Sequence, residues 1–161
     1  ETYDNYEEMD KVIGDRVELT FVPMRNAFFI TIAANYALHN DIYTLVTGVC
    51  QQDNANYPDC RESFIQSQEK TINEALGIDN FKIVTPLINM TKAESVELVN
   101  GLAMFGENKC MDALAYSHTC YSGVYPPCGK CHSCVLRAYG FEQAGVDDPL
   151  IVRAAEEQMS Q

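Results

Sequence analysis

The stretch YTLVTGVCQQDNANYPDCRESFIQSQEKTINEALGIDNFKIVT, residues 43–85, decides the fold. Residues 43–49 are apolar and β-branched and include Gly48, a pattern that predicts a strand buried on both faces. Residues 81–85 predict a second strand, and the apolar stripe between the two predicts a helix over residues 60–76 that stops at Gly77. A strand, a helix and another strand in this order predict an α/β fold with a parallel sheet.

Helices are predicted on both sides of this stretch. Residues 25–40, RNAFFITIAANYALHN, are apolar around most of the helical circumference, which predicts a buried helix. Thr91 and Glu94 form a capping box for a helix that reaches about residue 104. A similar box is expected at the start of the 60–76 helix, where Asp59 serves as the cap with Glu62.

The end of the chain predicts a separate helical part. One helix is expected over residues 132–143, and another is introduced by Asp148 and Pro149. We therefore expect a Rossmann-like parallel sheet with helices on both faces over residues 1–107, and a helical metal-binding subdomain over residues 108–161.

Composition limits the class of protein. The chain has 161 residues, of which 47% are apolar, and this suits a globular domain with a small appendage. Its 11 Lys and Arg against 23 Asp and Glu give a formal net charge of -12, so no direct nucleic-acid binding is expected. No apolar run approaches the roughly 20 residues that a bilayer requires, and the acidic start is not a signal peptide. We expect a soluble, cytoplasmic protein without a membrane partner.

Four cysteines in TCYSGVYPPCGKCHSC predict a metal site. Their spacing lets Cys128 and Cys131 chelate one ion from a turn, and Cys134 follows one helical turn later. Cys120 completes a tetrahedron from a separate loop, and a tetrathiolate zinc site has no open position for substrate, so the ion is expected to be structural. Two alternatives remain open. In iron-sulfur proteins the fourth cysteine usually follows the others, and disulfides are typical of secreted chains.

Four stretches, separated along the chain and in a fixed order, carry a family resemblance. They are FVPMRN (residues 21–26), GVCQQDNANYPDCR (48–61), TPLINMTKAE (85–94) and TCYSGVYPPCGKCHSCVLRAYGFEQAGVDDPL (119–150). Together they resemble the 7-cyano-7-deazaguanine synthase family of the queuosine pathway, which belongs to the PP-loop ATP pyrophosphatase group. The resemblance implies a homodimeric zinc enzyme. It implies that 7-carboxy-7-deazaguanine, ammonia and ATP with magnesium yield the 7-cyano base (preQ0) through adenylated acid and amide intermediates.

The resemblance also implies a phosphate site at Lys92. This lysine lies in the first turn of a helix directly after a strand, where its ammonium and the backbone amides can meet a phosphate. A solvated lysine at a helix end is the alternative. Two roles of Arg137 also remain open: packing on the helix of the zinc site, and contact with a phosphate. We expect Lys92 and Arg61 to act in catalysis, and Lys92 and Arg137 to bind the nucleotide.

Substrate contacts are expected from the loop after the first strand, because ligands of such folds lie beyond the carboxyl ends of the strands. Carboxylates there suit the N–H edge of a purine-like base, a guanidinium suits a carboxylate, and aromatic rings suit a flat heterocycle. Charge at the start of a buried helix is also expected to meet a ligand or another subunit. The expected substrate-binding residues are Phe21, Arg25, Asn26, Asp53, Tyr57, Asp59 and Arg61, with Asp59 as either a helix cap or a ligand contact.

The sequence departs from the family pattern in three places. The family begins with a strand and an SGGxDS-type loop that cradles ATP phosphates, and the chain starts beyond that point, so we expect it to be a fragment. Met24 stands where the family usually has glycine, and residues 54–56 replace an aromatic-Ser-Gly sequence. Two alternatives follow: a non-catalytic zinc-binding subunit that needs a partner chain, and a related ligase that acts on another carboxylate.

Overall fold

The computed structural model describes residues 1–51, 56–104 and 109–160, without the side chains of residues 103 and 104. The chain divides into two compact units. The sheet unit is Asp15–Met90, and the cysteine unit is Glu1–Gly14 together with Thr91–Gln161. The predicted boundary between residues 107 and 108 lies outside the described residues. The elements are α1 (Tyr6–Ile13), α2 (Arg25–His39), β1 (Thr44–Val46), a short 3-10 helix (Pro58–Cys60), α3 (Glu62–Leu76), β2 (Lys82–Val84), α4 (Lys92–Met104), α5 (Lys109–Leu114), α6 (His132–Gln143) and α7 (Pro149–Met159).

The sheet unit is a β-α-β arrangement with one more helix. β1 and β2 pair in parallel, with Leu45 opposite Ile83, and α3 connects them along the chain. The predicted α/β class with a parallel sheet is therefore confirmed. The core lies where α2 and α3 pack on the strands, around Ile30, Ile65 and Phe81. Gly77 ends α3 with a φ of 66°, as the sequence predicts for a glycine stop.

Two side chains of α3 cover the outer edge of β2. Asn73 Oδ1 accepts from Phe81 N at 3.1 Å, and Glu69 Oε2 accepts from Ile83 N at 2.8 Å. These donors would otherwise stay unpaired, because a parallel ladder uses only alternate N–H groups on each side of a strand. The helix thus fixes the position of β2 by hydrogen bonds as well as by apolar packing.

Two sequence predictions about burial in this unit are wrong. α2 buries only one face, through Ala27, Ile30 and its other inward residues, whereas Phe28 and Tyr36 are 63% and 70% exposed. β1 is also not buried on both faces, because Val46 is 69% exposed. Within the described residues the sheet has two strands, and burial on both faces would need packed layers on both sides of it.

The cysteine unit is helical. α6 packs against α4 and against α1, and the α1 contact buries Met9 and Ile13 beside Val135. The rings of Tyr6 and Tyr139 stack at 3.7 Å. The predicted end of α4, both bounds of α6 and the start of α7 are confirmed, and Asp148 caps α7 by accepting from Leu150 N at 2.9 Å.

α1 and α5 have no counterpart in the sequence prediction. α1 was detectable, because Asn5 Oδ1 accepts from Glu8 N and Glu8 Oε2 accepts from Asp4 N, which is the reciprocal pattern of a capping box. None of the described helices has the length and apolar character needed to span a bilayer.

Candidate functional site

The four predicted cysteines meet at one point of the cysteine unit. Their Sγ atoms all lie within 4.8 Å of one another, and Cys128 Sγ is 3.9 Å from Cys134 Sγ. Four sulfurs bound to one zinc at about 2.3 Å would lie about 3.8 Å apart in a tetrahedron. Three of the four side chains are buried and Cys128 is half-buried. All seven cysteines lie in the described residues, and none forms a disulfide. The donor set therefore fits a closed metal site of the structural zinc type.

The local backbone places these thiols and favours the charged form of Cys128. Cys131 is the N-cap of α6, and Gly129 takes a φ of 71° in the turn before it. The backbone N–H groups of Lys130 and Cys131 donate to Cys128 Sγ at 3.5 and 3.3 Å. These hydrogen bonds lower the pKa of Cys128 to about 6. Burial raises the pKa of Cys134, and a bound cation would offset that effect by pairing with the thiolate.

In the sheet unit, Tyr57 contacts two other residues predicted to bind substrate, the aromatic Phe21 and the cationic Arg25. Its ring centroid lies 5.4 Å from that of Phe21, and the Arg25 guanidinium carbon lies 5.9 Å from the Tyr57 ring. All three side chains are half-buried. The cluster therefore offers flat apolar faces beside a positive charge, which is the surface that a flat anionic heterocycle needs.

Asp59 and Asn26, also predicted for substrate, are bonded to each other. Asp59 Oδ2 accepts from Asn26 N at 3.1 Å, and Asn26 Nδ2 donates to the Asp59 carbonyl at 3.2 Å. Asp59 therefore caps the start of α2, and the prediction that it caps the 60–76 helix with Glu62 is wrong. That helix begins at Glu62 after Arg61, because the short 3-10 helix turns the Asp59 side chain toward α2.

Glu18 is a residue of this cluster that sequence analysis missed. Its side chain is 3% exposed, and its carboxylate accepts from Thr20 N at 2.6 Å and from the Thr20 hydroxyl. The Thr20 hydroxyl also bonds the Tyr57 hydroxyl. A buried carboxylate needs such donors, and in return it fixes the Tyr57 ring. A single glutamate in a loop gives no sequence signal, because its partner Tyr57 is 39 positions away.

The loops after β1 and β2 are joined, as expected for the carboxyl edge of a parallel sheet. Gln51 N donates to Ile88 O at 3.0 Å, Gln51 Nε2 donates to Asn89 Oδ1 at 2.6 Å, and Cys50 Sγ donates to Met90 O at 2.6 Å. Gln51 Oε1 also accepts from Glu62 N at the start of α3. Arg61, the N-cap of α3, is exposed at this edge. Asp53 lies outside the described residues.

Lys92 is the first residue of α4 in the cysteine unit. The capping box predicted for this helix is confirmed, because Thr91 N donates to Glu94 Oε2 at 2.7 Å and Glu94 N donates to Thr91 Oγ1 at 3.2 Å. The Thr91 backbone and hydroxyl bonds hold the pKa of Glu94 below its ordinary value. A helix N-terminus and a lysine in its first turn can attract a phosphate together.

Arg137 lies in the same unit, and its guanidinium N–H groups donate hydrogen bonds to protein atoms. Nε and Nη2 donate to Asp148 at 2.5 and 2.8 Å, Nη1 donates to Ser117 Oγ at 2.8 Å, and Nη2 donates to Leu114 O at 3.1 Å. Of the two interpretations left open by the sequence, packing on the helix of the cysteine cluster accounts for these contacts. A phosphate contact for Arg137 stays a prediction without geometric support.

Comparison with known proteins gives the family. The family model described as "Queuosine biosynthesis protein QueC" matches residues 3–145. The 7-cyano-7-deazaguanine synthase of Laribacter hongkongensis is 47% identical over 137 residues, which cover 84% of this chain and 56% of that protein. The synthase of Chromobacterium violaceum is 46% identical over 144 residues, covering 89% and 58%. The synthase of Gloeobacter violaceus is 46% identical over 136 residues, covering 83% and 57%.

The chain spans between 56% and 58% of the length of these three relatives. The matched residues include the Tyr57 cluster of the sheet unit and all four clustered cysteines. On this match the chain belongs to the QueC family of queuosine biosynthesis proteins.

Proposed function

We propose that this protein takes part in the ATP-dependent conversion of 7-carboxy-7-deazaguanine and ammonia into 7-cyano-7-deazaguanine. Family membership supports the reaction, and the arrangement of Phe21, Arg25 and Tyr57 is the observation that carries it for this chain. A guanidinium beside aromatic faces suits a flat heterocycle that bears a carboxylate. The protein acts as a member of the PP-loop ATP pyrophosphatase group. The reaction takes place in the cytoplasm, where reducing conditions keep thiols free.

The chemistry requires two activations. A carboxylate oxygen attacks the α-phosphate of ATP and pyrophosphate leaves, which gives an acyl adenylate. Ammonia then attacks the acyl carbon, AMP leaves, and a proton is lost to give the amide. The amide oxygen attacks the α-phosphate of a second ATP, pyrophosphate leaves, and loss of AMP and of both protons of the amide nitrogen gives the nitrile. Each step builds charge on phosphate, so cations, helix N-termini and magnesium are needed near it.

The residues divide these tasks. Arg25 and Arg61 pair with the substrate carboxylate, Phe21 and Tyr57 hold the heterocycle, and Asp53 with Asp59 accepts from its N–H edge. Asn26 keeps Asp59 in place through the bonds at the start of α2. Lys92 binds the phosphates of ATP at the start of α4, together with magnesium. Zinc at the four cysteines supplies structural stability and takes no part in the chemical steps.

The reaction is proposed to take place in a homodimer. Contact with a second polypeptide chain is supported by the outer face of α2. The apolar side chains on this face are between 52% and 70% exposed: Phe28, Phe29, Ile32 and Tyr36. Contiguous apolar faces of this kind mark interaction sites. The same face supports the second candidate function, a zinc-binding subunit that acts only with a different partner chain.

A lysine comparison tests the proposal. The protein is given 7-carboxy-7-deazaguanine, ammonia and MgATP, and the cyano base is measured by mass spectrometry. Lys92→Ala is expected to lower turnover by a factor of about 100 or more, because it removes a charge that stabilises the transition state. Lys70→Ala is the matched control, since Lys70 is 75% exposed on α3 and pairs only with Glu74 in the described structure. Equal turnover in the two variants would contradict a role for Lys92 in the reaction. Cyano base formed only after a second chain is added would favour the partner-subunit function.

A further inference from the structure

Gly140 lies where α6 meets the start of α4. A Cβ built on Gly140 would lie 2.6 Å from Lys92 Cβ and 3.3 Å from the Lys92 carbonyl carbon. Cβ atoms essentially never approach another heavy atom within 3.0 Å. Gly140 does not have a positive φ and lies inside α6, so its backbone conformation suits any residue. The need for glycine here therefore comes from the close contact with Lys92.

The contact involves parts of α4 that cannot simply move aside. The nearest atoms are Lys92 Cβ, the Lys92 carbonyl carbon and Ala93 N, all at the first turn of the helix. They are backbone atoms or atoms bonded directly to backbone, in contrast to the mobile end of a long side chain. The first turn of α4 is also held by the Thr91 and Glu94 capping box. A side chain at position 140 would therefore shift the start of the helix.

The other end of α6 is fixed by the cysteine cluster. Cys131 is the N-cap of the helix, and Cys134 lies in its first turn. Gly140 follows Cys134 by six residues, which is about 9 Å along the helix axis. A metal at the cluster would thus hold the N-terminal end of the helix whose later turn contacts Lys92.

We propose that Gly140 is a positioning residue for Lys92: the absence of a side chain at position 140 sets where α4 begins and where the Lys92 ammonium reaches a phosphate. This inference rests on the proposed role of Lys92 in binding ATP phosphates. It connects the cysteine cluster to the reaction, because the helix that begins at that cluster also determines the position of a phosphate-binding group.

A double-mutant cycle tests the inference. The proteins are wild type, Gly140→Ala, Lys92→Ala and the double variant, with Gly101→Ala as the matched control. Gly101 is also a helix glycine, and no described atom lies within 4 Å of a Cβ built on it. Alanine is a better helix former than glycine, so helix propensity alone predicts a gain in stability for both alanine variants. Only the contact with Lys92 predicts a loss for Gly140→Ala.

Two readouts are measured on all five proteins. The first is kcat/KM for ATP in cyano-base formation, which Gly140→Ala is expected to lower by about tenfold or more, and Gly101→Ala to leave unchanged. The second is the affinity for inorganic pyrophosphate with magnesium by calorimetry, which does not depend on the acid that is activated. In the Lys92→Ala background, Gly140→Ala is expected to cause no further loss in either readout, because the ammonium it displaces is absent. The steric clash remains there, since alanine keeps its Cβ, so the melting temperature still falls.

The outcomes separate this inference from the proposed function. Wild type that forms no cyano base, both alone and with the N-terminal SGGxDS-type portion supplied, contradicts the proposed function. Three outcomes contradict the positioning role. The wild type binds no pyrophosphate, or the losses of the two single variants simply add in the double variant, or Gly140→Ala binds pyrophosphate with the same affinity as Gly101→Ala. A role confined to stability would lower the melting temperature and leave both readouts unchanged.

Discussion

Replacing Arg137 by methionine removes the cation from the one ion pair in the described residues whose two side chains are both largely buried. The Arg137 and Asp148 side chains are 12% and 9% exposed, and they share two hydrogen bonds. Methionine keeps much of the side-chain volume but leaves the Asp148 carboxylate without its counter-charge. It also removes the donors to Ser117 and Leu114. The change therefore removes the donor that bonds the largely buried Asp148 Oδ2. Asp148 Oδ1 still accepts from Leu150 N, whereas Leu114 O still accepts from the Ser117 backbone N–H and hydroxyl.

The expected loss of stability is large. Removing one partner of a buried ion pair costs about 3–5 kcal/mol. For a chain of this size each kcal/mol lowers the melting temperature by about 2–4 °C, so Arg137→Met should lower it by about 6–20 °C. Arg153→Met is the matched control. Arg153 pairs with the half-exposed Glu157 and lies over the Tyr116 ring, so its replacement should change the melting temperature far less.

Thermal unfolding followed by circular dichroism measures both variants, and calorimetry measures their affinity for MgATP. The packing role predicts a lower melting temperature for Arg137→Met, with nearly unchanged affinity in the fraction that remains folded. An unchanged melting temperature with a large fall in MgATP affinity would refute this reasoning and favour the phosphate contact that the sequence left open.

Three further outcomes are expected. Met24→Gly should stabilise the protein by up to about 1 kcal/mol in urea unfolding, since Met24 has a φ of 65° and the left-handed region penalises a side chain; a lower urea midpoint would contradict this. Elemental analysis should find one zinc per chain, and Cys128→Ser should release it; stoichiometric iron would overturn the zinc assignment. Phe28→Glu should shift a dimer to a monomer in analytical ultracentrifugation. Gln66→Glu adds the same charge at an exposed position of α3 and should leave the dimer intact. Dissociation of both variants or of neither would contradict a specific interface on α2.

Local patterns predicted most of the secondary structure. The capping box at Thr91 and Glu94 and the Pro149 start of α7 use contacts within a few residues, so the sequence contains all of their information. The cysteine cluster was predictable for the same reason, because its four members lie within 15 consecutive residues, 120–134. Met24 shows the converse. Its departure from the family glycine is visible in the sequence, but its left-handed backbone emerges only from the structure.

Contacts between distant segments account for what the sequence did not predict. Asp59 satisfies the rule for a helix cap, but the helix it caps is α2, whose bonded amide is 33 positions away. Glu18 reaches Tyr57 across 39 positions. Residues 25–40 are apolar around most of the helical circumference, and this predicted a buried helix. Burial depends on which layers cover the helix, however, and one face of α2 is exposed within the described residues. Periodicity describes a helix and not its neighbours.

Incorporation of ¹⁵N-labelled ammonia is a direct measurement of the proposed nitrile-forming reaction. The protein is incubated with 7-carboxy-7-deazaguanine, MgATP and labelled ammonia, and the products are analysed by mass spectrometry together with AMP. The expected product is a cyano base one mass unit heavier than the unlabelled compound, with one AMP released for each of the two activations. A labelled amide that never loses its oxygen, or ATP consumption without label in the heterocycle, would contradict a nitrile-forming reaction.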